Sequence, residues 1–378
     1  MGTMTNGTDP DYPSRVLGVL FGGAAGDALG YTVEFSDQQQ ILDRHPEGLF
    51  RPDQVRGVRL DGSGQRLPIS DDTQMTLYVL DGLLEWIEWA NDGQMADPAA
   101  SVWLACLRWW KTQNGRFPDG APQPPDRWID AHTELHVQRA PGNACLSGLD
   151  RPDMGLLGDP SNPESKGCGT VMRSAPYGMV PRLEDHLVVS LARQGAVLTH
   201  GHPAAWTSSA AFALMISALM GGRSLQEAVR AGLDWLGQLP DKDPDGGTLA
   251  ALQGAVSLAA GGPQGPGTAT PETLLPSELG EGWVAEEALA IAVYSVLATQ
   301  AGSATAHEHA ERALRLAVTH GGDSDSTASL AGQLLGAHYG MAIFGEDAEL
   351  PVWITEHAVV AEAAHRWTAA THSPAPSV

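Results

Sequence analysis

The sequence predicts an all-α fold, a single compact orthogonal bundle of many helices joined by long loops rich in Pro and Gly. Apolar residues recur at steps of three and four positions along most of the chain, and Ala and Leu are abundant. Runs of alternating β-branched residues are nearly absent, so any sheet must be minor. Because there is neither an internal repeat nor a sharp break in composition, we expect one domain.

Ten segments carry the helical period. In chain order they span residues 15–31, 73–90, 98–112, 183–198, 204–220, 224–236, 283–301, 306–319, 327–344 and 353–370. Long connections of the kind that tends to be functional or mobile separate some of them, at residues 36–68, 113–166 and 240–282. We expect solvent-facing stretches at 240–247 and 261–272. The predicted organisation is a disordered tail at 1–13, one helical domain at 14–370 and a frayed end at 371–378.

Composition narrows the class of protein. The 378 residues include 22 basic and 45 acidic side chains, a formal charge of −23, and 43% are hydrophobic. This apolar content excludes wholesale disorder. The acidic balance argues against binding a nucleic-acid backbone, so nucleic acid is expected only as a modified substrate. Three cysteines are too few for a disulfide framework or a Cys-rich zinc site.

The sequence also predicts a cytoplasmic protein without a membrane anchor, and we expect a monomer. Its first residues are polar, with neither the basic region nor the apolar core of a signal peptide. The most apolar early stretch, residues 16–35, is rich in Gly and is interrupted by Asp27 and Glu34. A membrane span would not tolerate that pattern.

Glycines recur at every fourth position in two of the predicted helices. The two stripes are Gly18, Gly22, Gly26 and Gly30 in the first, and Gly332, Gly336 and Gly340 in the second. Such a stripe removes side chains from one helix face, so another backbone can approach closely, although each interior Gly costs roughly 1 kcal/mol relative to Ala. Either the two helices pack against each other or each is covered by a bulky neighbour.

Two predicted helices begin with clusters of carboxyl and hydroxyl side chains. The clusters are Ser70-Asp71-Asp72-Thr73 and Asp323-Ser324-Asp325-Ser326. Helix capping explains one or two residues at each start, but packing like charges together costs free energy unless a cation compensates them. Carboxylates and hydroxyls suit a hard divalent cation, and several of them can hold a pair of ions. Spacing alone does not bring the clusters together, so capping and a metal site both stay open.

Five short motifs stand out in order along the chain. They are GDALG and VEF within 26–35, SDDTQM at 70–75, GCGTVMR at 167–173, THGHP at 199–203 and GGDSDST at 321–327. Together they resemble the ADP-ribosylglycohydrolase family, which includes dinitrogenase reductase-activating glycohydrolase and the ADP-ribosylhydrolases. Each motif alone is weak, but five in sequence over nearly the whole chain are highly specific.

The resemblance implies an all-helical hydrolase that cuts the N- or O-glycosidic bond between ADP-ribose and an acceptor, often a modified arginine. It implies two divalent cations, Mg²⁺ or Mn²⁺, in a central cleft. The metal ligands that it implies are Ser70, Asp71, Asp72, Asp323, Asp325 (as bridge) and Ser326. The substrate-binding residues are the diphosphate loop Gly167, Cys168, Gly169 and Thr170, together with His200. The catalytic set is Glu34, Asp71 and Asp325.

Several single-residue roles stay open. Glu34 either positions the substrate or water, with proton transfer possible, or gates the metals as a ligand. Asp27 is expected to be structural, as a buried polar contact or a cap. Trp283 is expected to line a pocket and to stack on an adenine or on the acceptor. Arg173 either reaches phosphate or pairs with a carboxylate, and Cys168 stands where the family commonly has Asn.

Three functions remain in competition. The first is the release of mono-ADP-ribose from a protein side chain, with arginine favoured as the acceptor. The second is hydrolysis of another ADP-ribose conjugate, linked to serine, to a nucleic-acid base or to an acetyl group. The third is a non-catalytic protein that only binds ADP-ribose. The retained acids argue against the third, because a scaffold has no need to gather uncompensated negative charge.

Overall fold

The computed structural model describes residues 10–240, 247–261, 274–346 and 349–372. Within these residues the fold is all-α, as predicted, with no β-strand and only isolated bridges. The helices are α1 (Tyr12–Tyr31), α2 (Gln38–Arg44), α3 (Asp71–Asn91), α4 (Pro98–Asn114), α5 (Asn143–Leu149), α6 (Ala175–Met179), α7 (Asp185–Val197), α8 (Pro203–Met220), α9 (Leu225–Gly237), α10 (Gly247–Gly261), α11 (Ala285–Gln300), α12 (Ala306–Val318), α13 (Ser324–Tyr339) and α14 (His357–His372).

Local sequence signals begin and end several of these helices. Asp97 caps α4 by accepting a backbone hydrogen bond of 2.8 Å from the first turn, and Pro98 occupies the first helical position. The helix ends at Gly115, whose φ of 73° lies in the left-handed region that favours Gly. A capping box between Ser224 and Glu227 begins α9. These ends follow from neighbouring residues alone.

The contact between α1 and α13 lies at the centre of the bundle. A Cβ added at Gly18 would lie 2.4 Å from the carbonyl oxygen of Gly336, and one at Gly22 would lie 2.3 Å from that of Gly332. In the opposite direction, a Cβ at Gly332 would lie 2.0 Å from the carbonyl oxygen of Gly22. Real side chains do not approach so closely. The two glycine stripes therefore face each other, and the first of the two interpretations is confirmed.

All ten predicted helices are present, although some ends differ. Helix α1 begins at Tyr12, inside the segment expected to be a tail. Helix α11 begins at Ala285, which leaves Trp283 in the connection before it. The predicted start of the last helix at 353 is wrong. The carbonyl oxygen of Trp353 and the N–H of Thr355 are hydrogen-bonded to the N–H and the carbonyl oxygen of Leu67, and α14 begins only after them.

Four further helices, α2, α5, α6 and α10, were not predicted. Helix α10 lies within 240–282, so the prediction of a Pro/Gly-rich connection is wrong over Gly247–Gly261. Its buried residues have helical spacing, and they are Thr248, Leu252, Ala255 and Ala259. The flanking Pro and Gly residues obscured this signal. Two stretches, 240–247 and 261–272, were expected to face solvent. Their residues 241–246 and 262–272 lie outside the described part of the chain.

Among the described helices, α8 alone is long and apolar enough to cross a membrane by length and composition. Its apolar window is 78% buried inside the protein. The helix packs against α6, α7 and α9. Burial of this kind is typical of the core helix of a soluble protein.

Candidate functional site

The first acidic cluster lies at the N-terminus of α3, where Asp27 of α1 holds the backbone in place. Ser70 caps the helix by accepting a 3.2 Å hydrogen bond from the N–H of Asp72. Asp27 accepts backbone hydrogen bonds from Ser70 at 2.9 Å and from Thr73 at 3.1 Å. Asp71 and Asp72 occupy the first turn and are buried. Asp27 is thus a buried cap of the neighbouring helix.

The second acidic cluster lies at the N-terminus of α13. Asp323 caps this helix, and its side chain accepts a 3.4 Å hydrogen bond from the N–H of Ser326. Asp325 accepts a second hydrogen bond from the same N–H at 3.0 Å. The N–H of Asp323 donates to the carbonyl oxygen of Glu281 at 2.8 Å. Because Asp323 caps the helix, α13 begins at Ser324 rather than at the predicted residue 327.

The two helix starts meet. The side chains of Asp325 and Ser70 lie close together. Burial raises the pKa of Asp71, and the charge of Asp325 raises it further. Glu34, in the turn after α1, belongs to the same site, because burial and then the charges of Asp325 and Asp71 raise its pKa to about 9. The structure therefore brings these acidic residues into one buried site.

The carboxyl groups of this site would repel one another if all of them were ionised. Burial and then the charge of Asp325 raise the pKa of Asp72 and of Asp323 well above the usual range. Two carboxylate oxygens, Oε2 of Glu34 and Oδ1 of Asp72, are buried without a hydrogen-bond partner. A buried oxygen without a partner destabilises the fold unless a ligand meets it. Bound cations or water molecules would satisfy such atoms.

The donors present fit a hard divalent cation. In the described part of the chain, no group of three or more His, Cys, Asp and Glu side chains is arranged to hold a metal ion by itself. Ser70 and Ser326 lie among the carboxylates and offer hydroxyl oxygens. Mg²⁺ usually keeps several water ligands in protein sites, and an all-oxygen donor set suits Mg²⁺ or Mn²⁺ rather than zinc or copper. The chemistry of these donors therefore suits the predicted kind of ion.

The predicted diphosphate loop forms a short 3₁₀ turn at Cys168–Thr170. The N–H of Cys168 donates to the carbonyl oxygen of Trp283 at 3.3 Å. The hydroxyl of Thr170 donates to the carbonyl oxygen of Ala205 at 3.2 Å. Both groups are therefore hydrogen-bonded within the protein. A ligand at this loop would have to bind through the other backbone groups.

The side chain of Cys168 links this loop to the acidic site. Its Sγ donates to Oδ2 of Asp323 at 2.7 Å. Burial and then the charges of Asp323 and Asp72 raise the pKa of the thiol well above its usual range. The thiol therefore stays protonated and remains a donor to the aspartate. Cys168 supports the acidic cluster from the position where the family commonly has Asn.

His200 packs against the loop. Its side chain is buried, and a Cβ added at Gly169 would lie 3.0 Å from its ring. Burial and then the charge of Arg173 lower the pKa of His200 to about 3, so the ring is neutral. The buried guanidinium of Arg173 donates to Oγ1 of Thr199 at 2.7 Å and to the carbonyl oxygen of Gly195 at 3.3 Å. Arg173 is thus a structural donor, and neither predicted role for it is observed.

Trp283 lies in the extended connection before α11 and is partly exposed. Its ring stacks with that of Phe35, with 6.4 Å between the centroids and 18° between the planes. Phe35 directly follows Glu34 and is exposed. Phe35 was not predicted as a site residue, although an aromatic residue next to a candidate catalytic acid is a signal that could have found it.

Arg139 and Glu356 hold the backbone that enters the first cluster, and neither was predicted. The N–H of Ile69 donates to Oε2 of Glu356 at 3.1 Å, and Nη1 of Arg139 donates to the carbonyl oxygen of Ile69 at 3.0 Å. Arg139 and Glu356 also form an ion pair. The N–H of Asp71 donates to the carbonyl oxygen of Arg139 at 3.1 Å. No local signal marks this arrangement, because its parts are far apart in sequence.

Comparison with known proteins identifies the family. Residues 8–373 match the family model described as ADP-ribosylglycohydrolase. The chain belongs to the ADP-ribosylglycohydrolase family. The resemblance seen in the five motifs is therefore confirmed, and the chain is a member of a family of glycohydrolases.

Two curated relatives and a solved structure show the extent of the likeness. The chain is 27% identical over 224 residues to the ADP-ribosyl-[dinitrogen reductase] glycohydrolase of Rhodospirillum rubrum, a match that covers 58% of this chain and 62% of that protein. It is 27% identical over 345 residues to ADP-ribosylhydrolase ARH3 of Danio rerio, covering 87% and 83% of the two chains. An ADP-ribosylglycohydrolase-related protein complex has the same fold, with a TM-score of 0.59 at 23% identity over 96% of this chain and 99% of that one.

Proposed function

We propose that this family member hydrolyses the bond that joins ADP-ribose to a protein side chain, with the guanidinium of arginine as the main acceptor, and so reverses ADP-ribosylation. The observation that carries the proposal is the meeting of Asp71, Asp325 and Glu34 at one buried site. A protein that only bound a nucleotide or served as a scaffold would gain nothing from gathering that charge.

Two divalent cations, Mg²⁺ or Mn²⁺, are the proposed cofactors. The side chains proposed to hold them are Ser70, Asp71, Asp72, Asp323, Asp325 and Ser326. Asp325 is the proposed bridging residue, since its carboxyl group lies close to Ser70 of the first cluster. Such cations, when bound, polarise oxygen atoms and lower the pKa of water.

The reaction adds water across the bond between C1 of the ribose and the acceptor atom. The hydroxyl goes to C1, and the proton goes to the acceptor. Positive charge develops at C1 in the transition state, and carboxylates nearby stabilise it. Glu34, whose Oε2 is buried without a partner, is proposed to position the attacking water or the substrate. Asp71 and Asp325 are proposed to hold the reacting groups in position beside Glu34.

The rest of ADP-ribose is proposed to lie along the loop at 167–170. The backbone of Gly167, Gly169 and Thr170 would face the diphosphate, since turns of this kind present N–H groups to anions. His200, a neutral ring that packs against this loop, is proposed to line the same ADP-ribose site. Cys168 adds no free N–H, because its own is paired with the oxygen of Trp283.

A panel of arginine-, serine- and base-linked ADP-ribose substrates tests this function. We expect the fastest release of ADP-ribose from an arginine-linked peptide, in Mg²⁺ or Mn²⁺ and not in EDTA. Release from serine-linked or base-linked substrates alone would replace arginine as the acceptor. No release from any linkage, with ADP-ribose still bound, would contradict the hydrolase function.

We also propose that the protein acts as a monomer in the cytoplasm, with ADP-ribosylated protein as its partner. Its cysteines, Cys106, Cys145 and Cys168, are all free, which suits a reducing compartment. Light scattering and cell fractionation test these two points.

A further inference from the structure

Two exposed aromatic side chains stand together next to the acidic site. Phe35 is 77% exposed and Trp283 is 41% exposed. Their rings are nearly parallel, at 18°, with centroids 6.4 Å apart. An exposed pair of large rings has little reason to form on a solvent-facing surface unless it meets a ligand or partner.

Both rings are carried on segments that backbone hydrogen bonds hold in place. The carbonyl oxygen of Trp283 accepts from the N–H of Cys168 at 3.3 Å. Phe35 lies in the turn that follows α1, where the N–H of Ser36 donates to the carbonyl oxygen of Val33 at 2.8 Å. The pair is thus organised before any ligand arrives, which lowers the entropy cost of binding.

The pair adjoins the acidic site on both sides. Glu34 directly precedes Phe35 in the chain. A Cβ added at Gly282, directly before Trp283, would lie 3.5 Å from Cβ of Asp323. The faces of the aromatic rings also carry negative potential. A planar cation is the ligand that matches all of these features.

We propose that Phe35 and Trp283 form the acceptor subsite, in which the guanidinium of an ADP-ribosylated arginine stacks on the rings beside Glu34. This inference rests on the proposed hydrolase function and assigns the residues that would hold its acceptor. A guanidinium stacks on aromatic faces and gains cation–π attraction as well. An adenine would gain the stacking alone, and a serine acceptor would gain neither.

The test uses Phe35→Leu and Trp283→Leu, which keep an apolar side chain and remove the aromatic face. We expect kcat/KM for an arginine-linked peptide to fall about tenfold in each, as loss of a cation–π contact predicts. The kcat/KM for a serine-linked peptide and the calorimetric Kd of free ADP-ribose should change less than about twofold. Trp89→Leu is the matched control, because Trp89 is 42% exposed and lies on α3 away from the pair.

Three results would overturn the acceptor subsite. Equal losses for both peptides would mean that the rings serve packing, and a weaker Kd for ADP-ribose in the variants would mean that they hold the adenine. The third result comes from binding of the arginine-linked peptide, which stopped-flow tryptophan fluorescence measures before turnover. If the wild-type protein binds this peptide no more tightly than ADP-ribose, the subsite is absent. Release of ADP-ribose by the wild type tests the hydrolase function separately.

Discussion

Asp325 connects the two halves of the acidic site through a single side chain. It accepts a 3.0 Å hydrogen bond from the N–H of Ser326 in its own helix, and its carboxyl group lies close to Ser70 at the start of α3. After burial, its charge is the main cause of the raised pKa of Asp71 and of Glu34. The geometry and the charge of the site therefore depend on the same residue.

Replacing this carboxylate by its amide separates the two contributions. We expect Asp325→Asn to lower the affinity for Mg²⁺ by more than about 100-fold and to abolish turnover. The metal-free variant should unfold at the same or a higher temperature, because the amide keeps the shape and removes repulsion. Calorimetric titration and thermal unfolding in EDTA measure both effects, with the exposed Asp53→Asn as control. Unchanged turnover would contradict the metal proposal.

At the scale of elements, the α1–α13 contact tests how closely two backbones must pack. A Cβ at Gly26 would lie 2.1 Å from the carbonyl oxygen of Ala328, whereas one at Gly254 in α10 meets nothing within 4 Å. Gly26→Ala should therefore destabilise the protein by about 3 kcal/mol or more. Gly254→Ala should stabilise it by up to about 1 kcal/mol through helix propensity. Denaturant unfolding measures both, and equal effects would contradict the backbone contact.

The contact between the segments that precede α14 and α3 gives a second prediction at the scale of elements. Glu356 accepts from the N–H of Ile69 at 3.1 Å and pairs with Arg139, so it orients the backbone just before the metal cluster. A Gln at this position accepts through one oxygen only. We expect Glu356→Gln to lower Mg²⁺ affinity about 10- to 100-fold, as the loss of an outer-shell partner does.

Calorimetric titration of the folded variant with Mg²⁺ checks this effect. Glu362→Gln on the exposed side of α14 is the control. If Glu356→Gln lowers only the unfolding temperature and leaves the metal affinity unchanged, Glu356 stabilises the fold without positioning the ligands.

At the scale of the whole molecule, cation binding should act as a stabilising ligand. The native state gathers buried carboxyl groups that the unfolded chain leaves apart in water. We expect Mg²⁺ at 100 times its Kd to raise the free energy of unfolding by about 2.7 kcal/mol for each site that it occupies. Thermal unfolding against Mg²⁺ at constant ionic strength measures this shift. An equal shift in Asp325→Asn would show that the effect is nonspecific.

Buried histidines should make the protein less stable in acid. His309 of α12 lies 2.8 Å from the carbonyl oxygen of Val296, and burial lowers its pKa from 6.5 to about 4. The unfolded chain therefore takes up a proton as the pH falls from about 6.5 to 4 while the native state does not, so stability is lost over this window.

His309→Gln removes this titration. We expect the slope of unfolding free energy against pH to fall by up to about 1.4 kcal/mol per pH unit between pH 6.5 and 4. Denaturant unfolding at several pH values measures it, with the exposed His186→Gln as control. An unchanged slope would contradict a neutral buried ring.

The sequence predicted helices correctly where the apolar periodicity extends over many residues. It missed a helix where flanking Pro and Gly residues obscure that pattern. Helix α10 was missed because Pro and Gly flank a short apolar helix. Helix α11 begins two residues later than predicted, which leaves Trp283 free to pair with Phe35. Helix periodicity does not register such pairings, because they depend on which segment lies next to which.

Residue order by itself determined the all-α class, the glycine-lined helices and the identity of the acidic clusters, because helical periodicity, small side chains and motifs are properties of neighbours along the chain. Only the tertiary structure decided that Ser70 and Asp325 lie close together, that Asp27 caps a different helix, and that Glu356 holds Ile69. Those contacts join positions tens to hundreds of residues apart. Packing and burial select them, and neither acts until the chain has folded.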